Sequence, residues 1–270
     1  MTALTALHHV HHRALRVDPD QVEAHSASVR MMPVVISEFL KAATQFPLLL
    51  TKNADTGFFT AIALCGFEDG ENLFWRHGEW DALYVPLNVQ RQPFFAGRPQ
   101  KNGPDHVKNE AGDALRDQAT AGDDFIMCID PKSPSLGTEK GEALFDAAGD
   151  PTPYLQSMQQ ILAQLLAGEA ATTAFIQKLV QHKLLTRLAL EITLNDGEQM
   201  KVQGLYTIDE DALEAAPIAV IDDLRHEGAL PAIYAMIISL GHIFALVQRK
   251  NKMMAQAGQW FQPDPAHSAS

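Results

Sequence analysis

The segment LALEITL, Asn195-Asp196-Gly197, EQMKVQGLY sets the firmest limit on how this chain folds. Two strand-forming runs flank a turn in which Asn or Asp followed by Gly supplies the positive backbone angles of a tight reversal, so the unit reads as a β-hairpin. An earlier unit repeats the logic: PLLLT and FFTAIALCGF are joined by the turn-rich NADTG. Their continuous apolar character suits strands that are central or covered on both faces.

Between and after the hairpins the period changes. Beyond Pro33, the residues Val35, Phe39, Leu40 and Ala43 recur at helical spacing and predict a short amphipathic helix that Pro47 stops. Thr152-Pro153 forms a helix start, with the hydroxyl capping free amides and proline in the first turn. Leu155, Met158, Ile161, Leu162, Leu165 and Leu166 mark one face of that helix, Gly168 reads as its stop, and Phe175, Ile176, Leu179 and Val180 mark the next helix. Asp209 caps a short helix; Pro217 begins another, which Gly228 ends. The last helix starts near Pro231. Its apolar part, interrupted by Ser239, Gly241 and His242, reads as too short to span a bilayer, and the 231–252 helix is expected to be buried or to form oligomers. These elements predict an α+β fold: a mainly antiparallel sheet in the N-terminal half, with helices and a second β-hairpin in the C-terminal half.

A chain of 270 residues allows one large module or two interleaved ones. The expected organisation is an N-terminal His-rich arm over 1–30, a β-rich part over 31–150 with a mobile loop at 96–124, a helical part with the hairpin over 151–256, and a disordered tail over 257–270. A net charge of −12 argues against nucleic acid and anionic membranes as partners, because counterion release needs a basic surface. Cys65 and Cys128 stand in apolar strands without metal-binding spacing and read as buried free thiols. The N-terminal residues lack the pattern of a secretory signal, and the expected location is the cytoplasm.

The aromatic stretch from Gly66 to Phe95 is the candidate site. Phe74, Trp75, Trp80, Tyr84 and Phe94, with Asn72 and Arg91, have the makeup of an apolar cleft with a few orienting polar groups, and Arg91 suits a carboxylate or an aromatic face. The plainer role of these aromatics is core packing, with Arg91 tying down a loop. Asp130, at the end of a buried strand and before Pro131, is the best-placed acid; its plainer role is to cap the following turn. His8, His9, His11 and His12 offer imidazoles to a metal, without the spacing of a metalloprotease helix, and adventitious binding on a solvated arm is the simpler expectation. There is no GxSxG elbow, Walker A loop or GxGxxG fingerprint. The residues leave the cofactor unknown.

Several short motifs in order give the chain a resemblance: His12-Arg13, Glu38-Phe39, Phe46-Pro47, GENLF from Gly70, Trp80 with Tyr84-Val85-Pro86, Arg91 with Pro93-Phe94, CID from Cys128, GEALFDAAGDPTP from Gly141, Gly204-Leu205-Tyr206 and Ser239-Leu240. In combination they resemble the SapC-like family of bacteria, named after a component associated with surface layers. The resemblance implies genes that often neighbour those for outer-membrane TonB-dependent receptors and flavin-dependent halogenase-like proteins. The resemblance implies a binding or accessory protein that recognises a peptide, a protein partner or a small ligand. The alternative is a metal-dependent enzyme, or the essential subunit of an enzyme complex, using His12 and an acid such as Asp130. The family's name also implies an alternative location at the cell surface by a signal-independent route.

Overall fold

The computed structural model describes residues 4–97 and 125–260, with side chains to Gln256. Most of the loop expected at 96–124 therefore lies outside the described residues. Ala96 and Gly97 close a strand, Phe94–Gly97. Of the tail expected at 257–270, residues 257–260 continue a helix and the remainder lies outside the described residues.

The main sheet has five strands: β1 (Met31–Pro33), β2 (Leu48–Lys52), β3 (Phe59–Leu64), β4 (Leu185–Thr193) and β5 (Gln199–Ile208), in the spatial order β4-β5-β2-β3-β1. Every pairing is antiparallel. Both hairpins form where turn chemistry predicts them. Asn53 Oδ1 accepts from the Asp55 and Thr56 amides, each at 2.9 Å, and closes the β2–β3 turn. In the β4–β5 turn, Gly197 has φ +90° and Asp196 Oδ1 accepts from Glu198 N. The second hairpin does not stand apart. It adds to the first through Leu205 opposite Thr51 and Tyr206 opposite Leu50, so β2 is central and Leu48, Leu49 and Leu50 are all buried. That placement accounts for an apolar run without alternation.

A smaller sheet joins Thr5–Ala6, Ile126–Ile129 and Phe94–Gly97, and Arg16–Val17 pairs with Leu136–Gly137 and Glu142–Ala143. The N-terminal segment is thus woven into a second core, where Val17, Phe94, Ile129, Leu144 and Leu155 meet.

The longer helices are α1 (Pro153–Gln181), α2 (Ile218–His226), α3 (Leu230–Ser239) and α4 (His242–Trp260). Thr152 Oγ1 accepts from Leu155 N and starts α1 as expected. Gly168 does not stop it: α1 is one helix of 29 residues. A Cβ at Gly168 would stand 2.7 Å from Val35 Cβ and Cγ2, so the glycine is there for close approach rather than for a turn. One turn on, Thr172 Oγ1 donates to Gly168 O at 2.6 Å and accepts from Ile36 N at 2.8 Å, which locks α1 to the 35–36 backbone. Val180, assigned to the buried face, is exposed.

The helix expected after Pro33 is shorter than its apolar spacing suggests. Ile36–Glu38 is a 3₁₀ turn and only Phe39–Ala42 is α-helical. Leu40 is 65 % exposed, because the buried residue of this turn is Glu38, whose carboxylate folds inward to accept from Val35 N. The last helix divides at Leu240-Gly241 into α3 and α4. Contrary to the sequence expectation, Leu230–Gln256 is long and apolar enough, by length and composition, to cross a membrane. One side of it is nevertheless built into the main core through Ile233, Met236 and Leu246, and Ser239 Oγ accepts from Leu48 N at 2.9 Å, joining α3 to β2.

Candidate functional site

The stretch 74–87 is a loop held from several sides. Trp75 and Trp80 face each other across a two-residue hairpin whose turn, His77 (φ 56°) and Gly78 (φ 85°), has two positive φ angles. Phe74 lies beneath, 4.5 Å from the Phe46 ring, and Trp80 stands 6.3 Å from Phe74. Trp80 Nε1 donates to Tyr84 O at 3.1 Å, and Tyr84 Oη donates to Glu38 Oε2 at 2.8 Å. Leu87 N also donates to Glu38 Oε2, at 3.0 Å. Glu38 is thus a buried carboxylate with three donors, two from the loop and one from Val35. Burial raises its pKa, against the lowering effect of those hydrogen bonds. Burial and the neighbouring carboxylate push the Tyr84 phenol far up, so it remains a donor.

The loop forms one wall of an open cleft of about 420 Å³. Phe74 and Trp80 line it from one side, and His242, Ala245 and Arg249 from α4 line the other. Arg249 lies 4.5 Å above the Phe74 ring and donates to Asp81 Oδ2 at 2.6 Å, the combination of stacking and ion pairing that a guanidinium supports. His242 Nε2 lies 3.0 Å from Ala43 O. At the lip is Leu83, whose amide donates to Gln45 Oε1 at 2.8 Å and whose side chain is 96 % exposed.

The residues singled out from the sequence separate into two groups. Phe74, Trp75, Trp80 and Tyr84 belong to this loop, and only Phe74 and Trp80 line the cleft. Asn72 stands behind it and serves the backbone, donating to Ser26 O at 2.8 Å and accepting from Phe74 N at 2.9 Å. Arg91, Phe94 and Asp130 lie at the smaller sheet. Phe94 is buried in the second core. Arg91 donates to Asn88 Oδ1 and Phe94 O and stacks 4.2 Å above the Phe95 ring. Burial pulls its pKa down to about 10, opposed by the Glu169 carboxylate. Asp130 Oδ1 accepts from Lys132 N at 2.9 Å, which makes it the cap of its turn.

Sequence reasoning missed two features. The far wall of the cleft comes from α4, remote in the chain from Trp80. Beside Asp130, His25 Nε2 lies 2.7 Å from Ser133 Oγ, which in turn lies 2.8 Å from Ser135 Oγ. Burial lowers the His25 pKa; the Asp130 carboxylate works against this and the Arg91 charge adds to it. This chain of hydrogen bonds closes the 23–26 turn onto the 130–136 loop, with both serines buried.

In the histidine cluster, His12 Nδ1 accepts from His8 N at 2.9 Å and His8 Nδ1 from Val10 N at 3.2 Å, so two of the four imidazoles serve a single helical turn, His9–His12. His9 and His11 stack against or tilt over His8. Among the described residues no group of three or more His, Cys, Asp or Glu side chains is placed to hold a metal. Cys65 and Cys128 are free and buried, and burial pushes the Cys65 thiol up to about 12, away from thiolate chemistry.

The α4 wall of the cleft is fastened by an ion cluster in which Lys250 and Glu71 are buried and Glu68 is half exposed. Lys250 of α4 donates to Glu68 and, at 2.6 Å, to Glu71 Oε1, while Glu71 Oε2 accepts from Phe67 N. Burial works against the ammonium, but the two carboxylates outweigh it and hold the Lys250 pKa above its usual value. Arg249 and Lys250, adjacent in sequence, thereby fasten α4 to the aromatic stretch at two points.

Comparison with curated proteins and with solved structures returns no match to this chain. One family model does match, over residues 7–246, which takes in the aromatic loop, both cores and the α4 wall of the cleft up to Leu246. The chain belongs to the SapC family.

Proposed function

We propose that this SapC-family chain is a binding or accessory protein that recognises a peptide or a protein partner at the Trp80–Arg249 cleft. The observation that carries the reading is Leu83. An apolar side chain 96 % exposed is ordinary on a floppy loop, but here the loop is fixed by Gln45 and, through Tyr84 and Leu87, by the buried Glu38. A scaffold that holds a leucine in water beside an aromatic floor is suited to a partner that covers both. Arg249 and Asp81 at the same cleft supply orienting polar groups.

The test is site-specific photocrosslinking in the source cells, with a benzophenone amino acid at position 83 and, as a control, at Ile218, which is also strongly exposed but lies on α2. A discrete adduct is expected at 83 and not at 218, and it is expected to vanish when Arg249→Glu is added. Adducts that are the same at the two positions, or that survive the charge reversal, would overturn the reading. Trp80→Ala is a poorer probe, because Trp80 also packs on Phe46 and Phe74.

A further inference from the structure

The two edges of the main sheet differ. At one end β1 has three residues and closes with Pro33, which has no amide proton to offer a further strand. At the other end β4 has nine residues and no proline. The direction of its backbone groups follows from bonds beyond its two ends. Leu184 O accepts from Asp209 N at 2.9 Å, and Leu194 N donates to Glu198 O at 2.8 Å, so the even-numbered residues between them are the ones bonded to β5. The irregularity in this ladder, between Leu188 and Leu190, places its extra residue beside Gly204 (φ +79°) on β5 and leaves β4 regular. The N–H and C=O groups of Leu185, Arg187, Ala189, Glu191 and Thr193 therefore point away from the sheet, where no strand among the described residues pairs with them. The side chains of Arg187, Ala189, Glu191 and Thr193 are exposed, and those of Leu190 and Ile192 are buried on the other face.

We infer that this edge pairs with the same edge of a second copy, antiparallel about a two-fold axis through Ala189, and joins the two main sheets into one. Ala189 is the middle residue of β4, so this register overlaps the whole strand. Odd-numbered residues then face odd-numbered ones, and the facing pairs exchange about ten backbone hydrogen bonds. The charges select the same register. Arg187 lies opposite Glu191 of the second copy, and the pair recurs on the other side of the axis. Within the chain, Arg187 has no ionic partner among the described residues, and Glu191 uses Oε1 for Lys201 at 2.7 Å, which leaves Oε2 for the guanidinium. Lys201, Glu191 and Arg187 of the second copy form a row of alternating charge across the joined sheet. On the other face half-buried Leu188 meets Leu190 of the second copy, extending the apolar layer. An axis at 187 or 191 sets like charges face to face, and an axis at 188 or 190 leaves both charges opposite uncharged residues. A two-fold interface needs one self-complementary patch, and the centred spacing of Arg187 and Glu191 provides it. None of the residues lining the cleft is on β4, so pairing leaves the cleft residues untouched.

Cysteine crosslinking of the full chain reads the register. Facing residues of a hydrogen-bonded pair are about 5.5 Å apart at Cα, within disulfide reach, and the native thiols are both buried and give little background. Under mild oxidation Ala189→Cys is expected to form a covalent dimer, Arg187→Cys alone is not, and a mixture of Arg187→Cys with Glu191→Cys is. Because the Ala189 amide points outward, proline is tolerated there without loss of a β5 bond. Ala189→Pro is expected to keep the circular dichroism of the parent and to weaken dimerisation in sedimentation velocity by about tenfold or more. If the proline disturbs the strand, Arg187→Glu on an exposed side chain decides: it is expected to weaken the dimer, and adding Glu191→Arg is expected to restore it. Four results overturn the inference: a monomer at every concentration, Arg187→Cys dimers as efficient as those at 189, a dimer unaffected by Arg187→Glu, or a monomer in which a benzophenone amino acid at 189 captures a different protein. The Leu83 adduct is expected to persist in Arg187→Glu, so the dimer and the cleft fail or stand separately.

Discussion

Replacing Gly168 by alanine tests the contact that docks α1 on the segment carrying Glu38. In an unconstrained helix interior the change stabilises by about 1 kcal/mol, because alanine loses less backbone entropy. Here the new methyl group would meet Val35 Cβ and Cγ2 at 2.7 Å and Cγ1 at 3.2 Å. Those atoms belong to a buried, β-branched side chain beside a backbone already locked through Thr172, so it cannot swing aside. Overpacking of this kind costs about 1–3 kcal/mol, and the net expectation for Gly168→Ala is a loss of about 0–2 kcal/mol. The informative measurement is the double-mutant cycle. In a Val35→Ala background the Cγ1 and Cγ2 contacts are gone while the Cβ contact at 2.7 Å remains, so Gly168→Ala is expected to recover only part of its gain of about 1 kcal/mol, leaving a coupling of up to about 2 kcal/mol between the two sites. Urea unfolding of the four proteins, with m-values compared to verify a common unfolded state, gives the cycle. Additive substitutions, or a Gly168→Ala protein more stable than its parent, would refute the close approach and with it the account of the unbroken helix.

Glu38→Gln is expected to lower stability by about 1–3 kcal/mol, because the amide replaces one of two accepting oxygens and leaves a buried donor among Val35 N, Tyr84 Oη and Leu87 N unmet. The same group has a pH signature. Its pKa is raised in the folded protein, so the folded state binds the proton more tightly than the unfolded state. Its contribution is greatest below the unfolded carboxylate value and falls as pH rises through the raised folded value. Denaturation followed across that window is expected to show a shallower pH slope in Glu38→Gln; an unchanged slope would count against a buried carboxylate there. Lys250→Met is expected to cost about 3–5 kcal/mol by stranding Glu71 without a cation, and adding Glu71→Gln is expected to recover a large part of that in chemical denaturation. Thr207 Oγ1 is buried without a hydrogen-bond partner among the described residues, so Thr207→Val is expected to raise stability by about 1 kcal/mol, the desolvation of the hydroxyl being removed; a less stable variant would show that the hydroxyl has a partner.

What could be read from the sequence was local, and what could not depended on distance along the chain. The turns at 53–57 and 195–197 declare themselves through asparagine, aspartate and glycine chemistry, and the α+β class followed from them. Gly168 reads as a helix end because glycine marks both a helix end and a close approach, and the approaching Val35 is invisible in the residues around position 168. Apolar spacing placed Leu40 inside because periodicity does not anticipate a carboxylate, Glu38, taking the buried position. In the site, Phe74, Trp80 and Tyr84 were recognisable as a group since one short loop contains them all. Arg91, Phe94 and Asp130 look like the same group in the sequence, but they lie at the smaller sheet, where Phe94 is buried in the other core. Arg249 and His242, and likewise His25 with Ser133, meet their partners only through tertiary contacts that no spacing encodes.

The order of strands in the main sheet also bears on how the chain is made. The β2–β3 hairpin leaves the ribosome early, but the neighbour that completes β2, the β5 strand, is synthesised far later. Through most of translation the Leu48-Leu49-Leu50 strand therefore has an open edge, with backbone groups and apolar side chains available to any other nascent chain. Folding of the sheet has to wait for the C-terminal hairpin, so fragments ending before Gln199 are expected to be insoluble or chaperone-bound, and a slow-codon or stalled messenger would make aggregation, rather than loss of binding, the first symptom of failure.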